Sequence, residues 1–339
     1  MLTSLPDLAP GTVRRTLSLE ISPDPDWNAG LRITASARDL LAGPRGGVVL
    51  RTACLIVTLD TASRITGIES GLPAAVTGPL IGAAAVSGFR ARLAALDELD
   101  PSSLESAVLD ELPTVRLISG YARMIELIEL TGADGVVEAA GAAREPETAV
   151  LRSPRMRRSP MVGVCAGWAP GATADSRVRD GVPVMQGTPL APALASMTPY
   201  FHAEPDPRPR SMRRRRILDV TAREGGYEVF EYYRDSHFDA GLREGALHEY
   251  EVHAQVDEGY TIKDIAVVPH ALPFDECPLA SPNAADLAGT PLREVTRTVR
   301  ERLTGTRSCT HLNDTLRFLR CVPALAASLP GQESTAGGR

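Results

Sequence analysis

The sequence predicts an α+β fold of two tandem diverged repeats, each a small antiparallel sheet followed by two helices. A long, partly helical linker rich in Pro and Gly joins them. Three observations predict this: ordered matches between the two halves, period-two alternation in the second half, and helix-start signals after those strands.

The matches run in one order. Arg14-Arg15-Thr16-Leu17 resembles Arg215-Arg216-Ile217-Leu218, and Ala37-Arg38-Asp39 resembles Tyr233-Arg234-Asp235. Thr58-Leu59-Asp60 with Ile65 parallels Gln255-Val256-Asp257 with Ile262. Leu80-Ile81-Gly82 parallels Leu287-Ala288-Gly289, and Val108-Leu109-Asp110 parallels Leu312-Asn313-Asp314. The resulting boundaries are 1–125 for a degenerate first repeat, 126–209 for a helix plus wrapping linker, 210–326 for a second repeat, and 327–339 for a disordered tail.

In the second repeat, 247–256 alternates as a half-buried strand does, with His248, Tyr250, Val252, Ala254 and Val256 on one face and His253 on the water side. A helix follows over Pro291–Leu303, with Thr290 as its N-cap. Another begins near Thr310, with Thr310 capping it. Tyr121–Ala143 reads as helix. Arg144–Pro160 and Pro170–Pro209 read as linker, with Trp168 and Cys165 as a plug between domains. The run Arg213–Arg216 lacks interleaved aromatics and reads as a strand edge guarded by charge.

A formal charge of −6 gives no general attraction to nucleic acid, and no apolar run is long enough for a membrane span. The N-terminus lacks the pattern of a secretory signal, so the protein is expected in the cytoplasm. Five widely spaced cysteines argue for reduced thiols over a disulfide framework. Lys263 is the sole lysine, which disfavours Schiff-base chemistry.

All six histidines lie between His202 and His311, so the chemistry is expected in the second repeat. Aligning the repeats sets His248 against Arg51. The segment Ser308-Cys309-Thr310-His311 puts a thiol at a helix N-terminus beside Arg307, an environment that favours thiolate. With Cys277 from the preceding loop and His248 from the strand face, Cys309 and His311 make a two-Cys, two-His set of the kind Zn²⁺ prefers. The bland alternative is that Cys277 and Cys309 are small buried residues and His311 caps its helix. A second cluster, Tyr232-Tyr233-Arg234-Asp235-Ser236-His237, offers an Arg–carboxylate clamp and an acid/base histidine. Because Arg38-Asp39 repeats its Arg-Asp pair, that pair reads better as a structural ion pair at a strand end, leaving Ser236 and His237 as the residues special to the second repeat.

The segment Cys309-Thr310-His311-Leu312 with the upstream Cys277-Pro278 resembles a bacterial family of unknown function, over about Arg213 to Leu319. A looser similarity is to the U-type iron–sulfur scaffold and sulfur-acceptor fold, which has a comparable order of Cys277, Gly289 and Cys309. That family's first Cys-Gly-Asp segment is absent here, His248-Glu249-Tyr250 standing in its region.

The expected function is a small-molecule enzyme, a metal-assisted lyase or hydrolase. Cys277, Cys309, His311 and His248 would hold Zn²⁺, with His237, Asp314 and Arg234 as catalytic groups. The alternative is a non-catalytic scaffold or sulfur/metal carrier. Neither nucleic acid nor membrane is an expected partner.

Overall fold

A computed structural model describes residues 2–142, 159–182, 184, 188–194 and 198–330. Two runs of four strands form it: β1 (Val13–Pro23), β2 (Gly30–Gly43), β3 (Gly46–Asp60) and β4 (Ile65–Glu69), then β5 (Met212–Arg223), β6 (Gly226–Phe238), β7 (Glu244–Asp257) and β8 (Ile262–Ala271). The strands expected to make two small sheets make one. Its order is β4-β3-β2-β1-β5-β6-β7-β8, all antiparallel, because β1 and β5 pair from Val13↔Val220 to Ile21↔Met212.

Helices cover one face, and the apolar sides of the strands meet them. Leu17, Leu19 and Ile21 of β1 and Tyr250, Val252 and Ala254 of β7 join the core beneath the Leu104–Leu109 and Thr310–Phe318 helices. The helix read over 121–143 begins earlier, at Leu112, and runs to Ala142. The one read over Pro291–Leu303 divides into a 3₁₀ turn, Leu292–Glu294, and an α-helix, Val295–Arg302. Thr290 therefore does not cap it; Pro291 is extended and precedes the 3₁₀ turn. On the opposite face, residues from the linker and the N-terminus cover the central strands. His202 is wedged between the Thr16 and Ser18 hydroxyls, each 2.8 Å from a ring nitrogen, and Leu5 and Leu194 pack on Ile217, Phe230 and Tyr232. Most of the expected 144–160 linker and the tail beyond 330 lie outside the described residues.

The same local devices occur on both sides of the sheet centre. Asp60 and Asp257 each accept a turn N–H through Oδ1 at 2.8 Å, from Arg64 and Thr261. Gly82 and Gly289, at φ +79° and +78°, donate to the carbonyls of Ile65 and Ile262 at 2.8 Å. Only glycine adopts that φ without strain. The register of the second strand shifts just after Asp39 and just after Asp235. Arg15 stands to Asp39 as Arg214 stands to Asp235, both as two-pronged ion pairs, so the counterpart of Arg15 is Arg214, two residues before the Arg216 that the sequence match gave.

The Arg213–Arg216 run corrects the reading of a guarded edge. β5 is a central strand, paired on both sides, and all four arginines are buried. Successive side chains on a strand point to opposite faces, so the run divides two and two. Arg213 and Arg215 meet Glu20, Glu204 and Glu244 on the linker side. Arg214 and Arg216 meet Glu111, Asp235 and Glu231 on the helix side. Alternation also explains why Arg234 and Asp235, adjacent in sequence, do not pair: Arg234 reaches Glu249 at 2.6 Å on the other face.

This packing has measurable consequences for stability. Removing one partner of a buried pair leaves a charge without compensation, so Arg216→Ala is expected to cost about 3–5 kcal/mol in urea unfolding; a loss below about 1 kcal/mol would contradict it. Burial, reinforced by Arg38, Arg215 and Arg213, lowers the His202 pKa to about 3. Below pH ~6.5 the unfolded chain binds a proton there that the folded chain does not, so stability falls as the pH drops from ~6.5 toward the folded value. Unfolding free energies measured across that window should show a shallower slope in His202→Gln.

Candidate metal centre

Three residues converge at the point where the β6 register shifts. Asp235 pairs with His248 across β6 and β7, and the helix beginning at Thr310 lays His311 over both. Ligand-capable atoms of Asp235, His248 and His311 all lie within 4.8 Å of one another. His248 Nδ1 is 3.9 Å from Asp235 Oδ2 and has no hydrogen-bond partner among the described residues, although the side chain is buried. The two imidazoles stack with centroids 3.5 Å apart, an arrangement suited to neutral rings. Burial drives the His248 pKa well below its ordinary value and brings that of His311 to about 4.

The carboxylate is held rigidly. Arg214 donates to Asp235 Oδ1 at 2.8 Å and to Oδ2 at 3.0 Å, and the Tyr233 hydroxyl also donates to Oδ2. Burial would raise the Asp235 pKa, but the Arg214 guanidinium and the nearby imidazoles outweigh it and set it at about 2. Arg214 is itself fixed by Glu111 and Thr114, each at 2.7 Å, and reaches Asp314 at 3.5 Å. The site therefore presents an anion and two neutral nitrogen donors, a set that suits imidazole- and carboxylate-binding divalent metals.

The thiols stand beside this group, outside it. Cys309, not Thr310, is the residue that caps the helix, and its side chain makes no capping hydrogen bond. Its Sγ accepts from the Tyr250 hydroxyl at 3.3 Å and lies 3.9 Å from His311 Nδ1. The expected thiolate is not favoured, since burial pushes the Cys309 pKa up. Arg307 does not offset this: it turns outward to Asp286 at 2.7 Å. Cys277 packs with Trp168, Ala174, Val184 and Phe274, and burial, reinforced by the neighbouring Cys309 and Cys165, pushes its pKa up too.

Of the expected catalytic groups, Asp314 is tied into the ionic group around Arg214, with Arg90 at 3.5 Å. His237 packs edge-on against Tyr121, and Arg234 lies on the opposite face of the sheet. Sequence reasoning grouped Asp235 with its neighbours and missed it as a partner of His248. The usable signal was the alignment of His248 with Arg51, because Asp39↔Arg51 and Asp235↔His248 are matching cross-strand pairs.

Residues 212–324 match a family described as "Protein of unknown function (DUF2889)". A domain of that family lies there. The DUF2889 segment runs from the start of β5 into the Val322–Ala326 helix and contains Asp235, His248 and His311, with Arg214 and Tyr233 that hold Asp235. No curated protein and no solved structure matches the chain. No helix among the described residues is long and apolar enough to cross a membrane.

Thiol exposure gives a direct check on this arrangement. Cys54 is exposed, whereas Cys277, Cys309 and Cys321 are buried. Native protein titrated with a chromogenic disulfide at neutral pH is expected to show a fast phase that Cys54→Ser removes and Cys309→Ser leaves in place. A fast phase belonging to Cys309 would contradict the buried, protonated thiol described above.

Proposed function

We propose that Asp235, His248 and His311 bind a divalent transition metal such as Zn²⁺, and that the centre serves a small-molecule lyase or hydrolase. The observation that carries this reading is the orphaned Nδ1 of His248, buried 3.9 Å from the carboxylate of Asp235. A buried polar atom without a partner is costly, and a bound cation would satisfy it together with the carboxylate. Arg214 and Tyr233 would be the outer partners that orient a ligating carboxylate. Three protein donors leave room for water or a substrate oxygen, which a metal can activate as nucleophile or polarise.

The first half supports the reading by contrast. There Arg51 occupies the register position of His248, with Nε 3.9 Å from Asp39 Oδ2. A tethered guanidinium would supply the positive charge that a metal supplies in the second half. We read the matching devices of the two halves as the product of an internal duplication in which only the second copy kept a metal centre. The alternative of a sulfur or metal carrier calls for accessible thiols, and the burial of Cys277 and Cys309 weighs against it.

Elemental analysis of tag-free protein after Zn²⁺ reconstitution and gel filtration tests the proposal. One equivalent is expected in wild type and a loss of at least tenfold in affinity in His311→Gln. His248→Arg, which reproduces the Asp39–Arg51 arrangement, is expected to fold and bind no metal. Absence of stoichiometric metal in wild type, or unchanged binding in both variants, would overturn it.

A further inference from the structure

We infer that Cys309 is the fourth, exchangeable ligand of this centre and makes it selective for thiophilic cations over Mg²⁺. The inference rests on the metal reading of Asp235, His248 and His311. Two elements each contribute a pair of groups to one space. β7 contributes His248 and, two residues on along the same face, Tyr250; the start of the Thr310–Phe318 helix contributes His311 and Cys309. The Cys309 backbone is extended, at φ −132° and ψ 130°, and its sulfur lies 3.9 Å from His311 Nδ1. Thiolate and imidazole donors on one tetrahedral Zn²⁺ sit about 3.5 Å apart, from bonds of ~2.3 and ~2.0 Å.

Tyr250 gives the sulfur a second position. Its hydroxyl donates to Sγ at 3.3 Å in the arrangement described, with the thiol beside the three-residue group and outside it. When an entering water or substrate oxygen displaces the sulfur, the metal–sulfur bond breaks and a metal–oxygen bond forms. The sulfur would leave as thiolate, take up a proton from the entering water or from solvent, and return to the Tyr250 hydroxyl as the protonated thiol, with no change of oxidation state. The first half holds neither group of this pair on its strand: Ala53 stands at the register position of Tyr250 and Arg51 at that of His248.

The test loads the full chain with Co²⁺ and reads its absorption spectrum. Wild type is expected to show visible ligand-field bands together with a near-ultraviolet sulfur-to-cobalt charge-transfer band. Cys309→Ser is expected to lose the near-ultraviolet band and keep the visible ones. Cd²⁺ added to cobalt-loaded wild type should abolish both sets, while a large excess of Mg²⁺ should leave them. Visible bands without the near-ultraviolet band in wild type, or a near-ultraviolet band that survives in Cys309→Ser, would overturn thiol ligation and leave the Asp–His–His site standing. Displacement of Co²⁺ by Mg²⁺ would overturn the selectivity. Absence of any cobalt spectrum in wild type removes the metal reading and this inference together.

Discussion

Buried ion pairs between arginines and carboxylates at the middle of the sheet are the constraint on which the rest of the protein depends. Arg14, Arg15, Arg214, Arg216 and Arg234 are almost fully buried on the central strands, each facing a carboxylate at about hydrogen-bond distance. Such pairs add little net stability over an apolar core, because desolvation consumes most of the Coulombic gain. Their effect is on specificity. The penalty for unpaired buried charge disfavours alignments that separate Arg14 from Asp219 across the join, Arg15 from Asp39 or Arg234 from Glu249.

That constraint extends into the candidate centre. Arg214 touches the helix layer through Glu111 and Asp314 and the sheet through Asp235, so one side chain ties the two layers together. The carboxylate it holds is anionic and immobile before any ligand arrives, and the two stacked imidazoles beside it are neutral. Preorganisation of this kind lowers the cost of assembling a site on binding. The sheet's ion pairs and the centre are one continuous network, with Asp235 belonging to both.

The parts of this arrangement that were legible in the sequence are those set by local pattern. Period-two alternation placed His248 on the Tyr250 face, and the order of matching residues located the turns at Asp60 and Asp257. What was not legible depended on partners distant in the chain. Four consecutive arginines look like a solvated patch unless Glu20, Glu111, Glu204, Glu231 and Asp235 are known to surround them. The depressed pKa of Asp235 and the raised one of Cys309 likewise come from burial and neighbours that no spacing rule supplies. Cys277, added to the expected set from the loop before the helices, lies near Cys309 but packs with Trp168 and Phe274, from a segment whose path the sequence left open.

The pairing of β1 with β5 also has a consequence for synthesis. β1 is made near the start of the chain, and its partner comes only after the long helix and the linker have left the ribosome. Until then β1 has one free edge, and contacts this distant in sequence form late. Lone strand edges invite pairing with other chains, and charge on them discourages it. Arg15 is matched early, by Asp39 of the neighbouring β2, whereas Arg14 finds its carboxylate, Asp219, only on β5. Until β5 arrives Arg14 puts a charge on the open edge; afterwards the same residue is a buried cation paired across the join.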